Sequence, residues 1–289
     1  MNFRLQQIQN LDEVASFIAE YNRHAFHHVG YCGEAKDEIL HTLLNDFSDL
    51  PIQESIIGAY DNNQLIGVLG LDIDQETQEA EVWGPFISEH NWHVIANEMW
   101  KRLLDGLSIP VKRFYGFYNH KHQNAAKFMQ EHGFIQGNNH IVLCAEAASF
   151  KRETTITLQE LSQEYEASFI GLHDQLFPST YYNGLEILRR MNDERKVMVA
   201  IEDRLLLGYV YIEANPTFQE GSIEYIGVLP SERKRGIGSQ LIQAALDQLF
   251  NVFLIKEIQL CVSDTNEKAL KLYRKAGFRE KHVLISYHK

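Results

Sequence analysis

The stretch PSERKRGIGSQL, residues 230–241, sets four charged side chains and two glycines between an apolar run and an amphipathic one. Ahead of it, Ile223-Glu224-Tyr225-Ile226-Gly227-Val228 is short, rich in β-branched residues and bounded by Pro230, which reads as a strand. Behind it, Leu241, Ile242, Ala245, Leu246 and Leu249 recur at helical spacing. A glycine-rich basic turn leading from a strand into a helix suits an anion. The first N–H groups of the helix lack partners, its dipole is positive there, and glycine lets a phosphate approach the backbone.

The surrounding chain makes that turn stand out. Its 289 residues, 45% hydrophobic and 23% charged, have the composition of an ordinary globular protein long enough for two domains. The formal charge of -12 argues against a nucleic-acid partner, so Arg233-Lys234-Arg235 runs against the bulk charge. Without the glycines, a solvated basic turn would explain the cluster as well. Cys32, Cys144 and Cys261 are too scattered for a disulfide framework or a zinc site, and are expected as small buried hydrophobes in a reducing compartment. No apolar leader opens the sequence and no run reaches membrane-spanning length, so a cytoplasmic protein without a membrane partner is expected.

The chain also repeats itself. Ala15-Ser16-Phe17-Ile18 returns as Ala167-Ser168-Phe169-Ile170, and IIGAYDNNQLIGVLGL (56–71) as VMVAIEDRLLLGYVYI (197–212), with Gly67 matching Gly208. AEVWGPFI (80–87) parallels IEYIGVLP (223–230), aligning Glu81 with Glu224 and Gly84 with Gly227. NAAKFMQEHGF (124–134) parallels KALKLYRKAGF (268–278). These matches keep the same order, which implies a duplicated domain: residues 1–150 and 151–289, with the seam near Phe150-Lys151-Arg152-Glu153.

In the second copy the patterns predict helices over 160–177 and 183–193, then strands over 197–202, 205–213 and 222–228. A helix over 237–250, a strand over 257–262, a helix over 266–276 and a last strand over 282–287 follow. The first copy's last strand is expected over 140–144. Hairpins early and strand–helix alternation later imply an α/β fold, a mixed sheet with helices packed on it, in each of two tandem copies.

Arg233-Lys234-Arg235-Gly236-Ile237-Gly238, followed by NEKALKLYRKAGF (266–278), resembles the GCN5-related N-acetyltransferase (GNAT) superfamily, in its tandem-domain form. The family's turn, [Q/R]-x-x-G-x-[G/A] after a strand, and its later Asn, Tyr and Gly-Phe stand here in order. Residues 155–289 carry the resemblance directly and residues 1–150 through the repeat. A Walker loop is absent, and a dinucleotide fingerprint would need glycine where Leu241 stands.

The resemblance implies acetyl-CoA as acyl donor and an amine acceptor: a small molecule, an amino acid or a peptide. The turn Arg233, Lys234, Arg235, Gly236, Ile237, Gly238 and Ser239 is then expected to cradle the pyrophosphate. Ile226 and Val228 would pair with the pantetheine arm as with an added strand, the Val228 N–H serving as oxyanion donor; both positions also suit a plain core strand. Asn266 would bond the cofactor's amide arm, with Ala269 and Leu272 lining the same helix. Tyr273 would protonate the leaving sulfur, unless it is a packed tyrosine. Glu224, which shares a strand face with Ser222, is a candidate base or else a structural carboxylate. Tyr181, Tyr182 and Asp174 in HDQLFPSTYYNG (173–184) either bracket a cationic amine or simply pack.

In the first copy, His93 and Ile95 stand near the glycine positions, Met129 replaces Tyr273 and His122 replaces Asn266. That copy is expected to be degenerate and not to bind the cofactor. His27-His28, His90 with His93, and His120 with His122 raise a metal centre. None comes with a ligand set at coordinating spacing, so surface histidines and no metal are expected. The alternative to an N-acetyltransferase is a CoA-binding regulatory or interaction protein without turnover. Acceptor identity, acyl length and a homodimeric state stay open.

Overall fold

The computed structural model describes residues 3–88, 91–150, 158–178 and 180–289. The chain forms two compact units. In order come β1 (Arg4–Gln7), α1 (Leu11–Asn22), α2 (Lys36–Asn45), α3 (Ile52–Ser55), β2 (Ile56–Asp61), β3 (Gln64–Asp74), β4 (Glu79–Ile87), α4 (Trp92–Asp105), β5 (Arg113–Asn119), α5 (Gln123–Glu131) and β6 (Ile135–Glu146). Then come β7 (Gln159–Glu160), α6 (Glu166–Leu176), α7 (Gly184–Arg190), β8 (Arg195–Glu202), β9 (Leu205–Asn215), β10 (Glu220–Val228), α8 (Ile237–Asp247), β11 (Glu257–Ser263), α9 (Glu267–Lys275) and β12 (Arg279–His288).

In the first unit the strand order is β1-β2-β3-β4-β5-β12, antiparallel except that β4 and β5 run parallel. Val14, Ala15 and Ile18 of α1 and Ile95, Met99 and Leu103 of α4 are buried in its core. The second unit has the order β6-β11-β10-β9-β8-β7, with β10 and β11 parallel. There Phe169 and Leu172 of α6 and Ile187 of α7 pack with Val197, Val199, Tyr209 and Tyr211, and α8 packs on β8, β9 and β10.

The internal repeat is visible in backbone detail. Asn62-Asn63 and Asp203-Arg204 form matching two-residue hairpin turns with positive φ at both positions, the geometry that follows a sheet's twist. Gln78 and Gln219 share a φ of 58°. The Gln78 carbonyl accepts from the Lys112 and Arg113 N–H groups, and that of Gln219 from Lys256 and Glu257.

The seam expected near 150/151 is not where the units divide. Residues 141–281 form one unit, and residues 282–289 join 1–140 in the other. The cause is an exchange of final strands. Leu284–His288 of β12 pairs antiparallel with Tyr115–Asn119 of β5, while β6 lies beside β11. Lys151, Arg152 and Glu153 lie outside the described residues.

Two short edge strands, β1 and β7, escape sequence patterning because RLQQ has a single apolar residue and QE none. The early helices of the second unit are also shorter than expected. Asn183 and Glu186 form a reciprocal capping box that starts α7. Asn192 Oδ1 then accepts the N–H groups of Glu194 and Arg195, turning the chain into β8 two residues early. The helix expected to 250 ends its regular turns at Asp247 and continues to Val252 as a wider π turn.

Candidate active site

β10 and β11 pair only from Glu220–Ser222 to Glu257–Gln259, after which they part. Beyond the bulge, Tyr225, Gly227 and Leu229 face β9, as the Leu229 N–H to Leu207 carbonyl bond of 2.8 Å shows. The main-chain groups of Ile226 and Val228 therefore point to the β11 side, into the gap. The Val228 carbonyl there accepts from Arg233 Nε at 3.3 Å.

Gly236 caps α8 with φ 85°. A Cβ at this position would have open space around it, so the left-handed backbone is what demands glycine. Gly238 is held by proximity instead: a Cβ would stand 3.3 Å from Leu272 Cδ2, which sets the α8 start against α9. Arg235 is tied to Glu232 and, at 2.7 Å, to Glu202. Its charge is locally balanced, so the attraction expected of the basic run falls to Arg233 and Lys234.

Asn266 caps α9, its Oδ1 accepting the Ala269 N–H at 3.2 Å; the side chain expected on the cofactor thus also starts the helix. Tyr273 is 7% exposed, its ring edge-on to Phe278. Burial pushes its pKa up to about 12, so the phenol keeps its proton at neutral pH.

The residues on the opposite side of β10 are set by the bulge. Ser222 pairs with Glu213 and Tyr225 with Tyr211, leaving Glu224 as the extra residue between register positions. Its carboxylate turns back to accept from Ser222 Oγ. Glu224 is exposed on its outer side, yet neighbouring atoms crowd the carboxyl. Desolvation raises its pKa, Glu213 adds to the rise, and the Ser222 bond and Arg190 oppose it.

The nearby wall was only partly legible in the sequence. His173, fully buried, accepts the Tyr209 hydroxyl on Nδ1 at 2.6 Å and donates from Nε2 to the Tyr182 carbonyl at 2.8 Å. Burial lowers its pKa, which keeps it neutral. The Tyr225 hydroxyl accepts from Thr180 Oγ1 and the Tyr182 N–H, and Asp174 accepts the Gly184 N–H. The loop is thereby fastened from below. Arg190 lies 4.1 Å from the centre of the Tyr182 ring and bonds Glu213, which also takes the Tyr211 hydroxyl. Tyr181 is 83% exposed and Asp174 is a loop anchor. Glu213 and Arg190 lay in sequence as an ordinary strand carboxylate and helix cation.

The first unit differs at each counterpart. The repeat sets Pro85 opposite Val228, and proline has no N–H to donate. Glu81 is not bulged; it pairs regularly with Asp72, and burial with that carboxylate raises its pKa to about 7. His122 caps α5 as Asn266 caps α9, accepting the Ala125 N–H on Nδ1, and burial lowers its pKa to about 3. Met129 is fully buried. Two of the histidines expected on the surface, His28 and His122, are buried, and His90 lies outside the described residues. His28 and His282 stack 3.6 Å apart at 10°, with His282 Nε2 donating to Glu34. Nearly parallel rings aim their nitrogens along parallel planes, which suits stacking rather than shared coordination. Of the cysteines, Cys32 is buried as expected and Cys261 is exposed.

No described helix is long and apolar enough to cross a membrane. Residues 158–278 match the family described as Acetyltransferase (GNAT) family. An N-alpha-acetyltransferase of Sulfurisphaera tokodaii is 34% identical over 94 residues, 32% of this chain and 56% of that protein. A spermidine N(1)-acetyltransferase of Vibrio cholerae is 33% identical over 95 residues, 32% of this chain and 54% of that protein. The chain thus spans a little over half the length of these relatives. Among solved structures, a GCN5-related N-acetyltransferase from Sphaerobacter thermophilus superposes with a TM-score of 0.73 at 16% identity, covering 99% of this chain and 95% of that one. A tandem GNAT protein from the clavulanic acid biosynthesis pathway gives 0.67 at 12%, covering 100% and 98%. The chain takes the tandem GNAT fold from end to end, and its match to the acetyltransferase (GNAT) family lies in residues 158–278.

Proposed function

We propose that the protein is an N-acetyltransferase that carries an acetyl group from acetyl-CoA to a primary amine of a small molecule, amino acid or peptide. The observation that carries this reading is the parting of β10 and β11 beside a glycine turn, with Ile226 and Val228 presenting main-chain groups to the gap. The residues present fit the donor. The Gly236–Ser239 turn opens α8 with N–H groups for a pyrophosphate, and the gap edge can pair with an extended arm.

Acetyl-CoA supplies the activated acyl group and a thiolate leaving group. Glu224 takes a proton from the incoming ammonium, and its raised pKa makes it a stronger base than an ordinary carboxylate. The Val228 N–H donates to the carbonyl oxygen as negative charge develops there. The C–N bond forms, the C–S bond breaks, Tyr273 gives its hydroxyl proton to the sulfur, and the second proton shed by the nitrogen restores the phenol. Desolvation keeps Tyr273 protonated until charge builds on the sulfur. Arg190, Tyr182 and the fastened loop 180–184 wall the acceptor. The second unit alone holds the donor, and residues 1–150 act as a degenerate copy.

A screen of amines with acetyl-CoA, following release of free CoA, tests this reading. Turnover with at least one amine is expected. CoA binding without acylation of any amine in the panel would favour a regulatory CoA-binding protein instead.

A further inference from the structure

In the first unit the counterpart gap is filled by the chain itself. β4 and β5 pair only from Glu79–Glu81 to Arg113–Tyr115. The N–H groups of Phe114 and His120 bond the β12 side, at the carbonyls of Lys289, just past the strand, and Val283 within it. By strand alternation, the main-chain groups of Phe117 and Asn119 therefore face the β4 side, beyond the point where β4 has left. Those groups are not open. The Gly30 N–H donates to the Phe117 carbonyl at 2.7 Å, and the Asn119 N–H donates to the His28 carbonyl at 3.0 Å. Val29 and Tyr118 form an antiparallel bridge between them. Across the gap, the Tyr118 hydroxyl donates to the Gly84 carbonyl of β4 at 2.6 Å.

The inserted segment is built in firmly. Asn22, fully buried, accepts the Val29 N–H on Oδ1 at 2.7 Å. Its amide group reaches the carbonyls of Cys32 at 2.8 Å and Gly33 at 2.9 Å. His28 Nδ1 donates to the Asn22 carbonyl at 2.7 Å, and its ring stacks on His282. A Cβ on Gly30 would lie 2.6 Å from Leu284 and Phe117 side-chain atoms, so only glycine lets the segment lie this close. In the second unit the corresponding loop, 177–183, is fastened to α6 and to Tyr225. Among the described residues it makes no backbone hydrogen bond to β11.

We propose that the gap of the first unit is a strand-accepting slot whose permanent occupant is His28-Val29-Gly30. The bonding is that of β-strand addition, performed within one chain. An extended, amide-bearing arm such as pantetheine would have to displace three residues and the Asn22 network. The slot is therefore shut by an internal ligand, whatever side chains stand at 93 and 95. This rests on the reading that the second unit's gap receives acetyl-CoA, although the first arm of its test does not.

Hydrogen exchange on the full chain tests it, read at single amides. Val29, Gly30 and Asn119 should exchange about a thousandfold or more slower than unprotected amides, as core strand amides do. Exchange at exposed-loop rates would overturn the proposal. On saturation with acetyl-CoA, amides of 226–240 should slow while Val29, Gly30 and Asn119 stay unchanged. A change at the latter three would show that the slot opens to the donor. No change at 226–240 would count against the proposed function and leave the first result standing.

As a second measurement, the His93→Gly/Ile95→Gly chain should still bind one equivalent of acetyl-CoA by calorimetry, once circular dichroism shows it folded. Two equivalents would mean that the turn, not the segment, had closed the slot.

Discussion

The two units share hairpins, bends and helix caps, yet differ in what stands between the two parallel strands of each. In the second unit β10 and β11 diverge, and among the described residues the 177–183 loop makes no backbone hydrogen bond to β11. In the first, β4 and β5 diverge just as far in register and the space is bonded up by His28–Gly30 and Tyr118. A duplicated fold thus keeps its splay even where the splay is sealed. The parting of the strands is a property of the backbone architecture, and access to it is decided by a loop. The 23–35 connection is long enough to lie along β5, whereas the 177–183 connection is short and fastened to α6.

The largest expected effect is at the glycine turn. Gly236→Asp forces a side chain onto a φ of 85° and adds a negative charge beside the expected pyrophosphate. It should abolish acetyl-CoA binding by calorimetry with the circular dichroism unchanged. His93→Asp, the matching change in the first unit, should leave affinity as it was. Equal losses in both would erase the distinction between the units.

Next comes the acid. Tyr273→Phe should lower kcat by about ten- to ten-thousandfold while acetyl-CoA affinity barely moves. Met129→Leu should change neither. Wild-type turnover in Tyr273→Phe would return that residue to a packing role.

The paired glutamates offer a contrast in kind. Glu224→Gln should depress kcat/KM and remove its acidic limb, because the raised pKa belongs to a base that must be ionised to act. Glu81→Gln should leave turnover alone and act on stability. Its pKa rises from 4.5 unfolded to about 7 folded, so the folded state holds the proton more tightly and stability falls as pH climbs between those values. At pH 8 Glu81→Gln should be more stable than wild type, by at most about 3 kcal/mol, and near pH 4 the two should converge. Denaturant midpoints at both pH values check this; parallel pH slopes would refute it.

The smallest effect should come from the buried wall. Tyr209→Phe removes one hydroxyl from the His173 bond and should raise the acceptor KM a few-fold, leaving the donor KM alone. A donor effect of equal size would place His173 and Tyr209 in the general core.

Much of this contrast could be read in the sequence. The turn at 233–238, the repeat and most strands followed from local spacing, because hydrophobic alternation and glycine positions act over a few residues. Pro85 opposite Val228 was equally visible in the repeat. What stayed hidden depends on distant partners. Nothing in HHVG (27–30) announces a strand; it becomes one because Asn22 and β5 supply its hydrogen bonds. His173 on an apolar helix face could be core or ligand until Tyr209 and Tyr182 are placed beside it. The last strands of the copies alternate alike, so either could close either sheet, and only pairing register tells them apart.

That exchange of last strands bears on how the protein is made. Synthesis runs from the amino end, and domains generally fold as units in that order. Here β5, complete by residue 119, waits for Leu284–His288, which is made only after every strand of the second unit. The earlier-made half is thus the one that finishes last. Loss of Leu284–His288 would leave β5 with an open edge in the first unit. Damage to β12 would then surface as aggregation through the first unit.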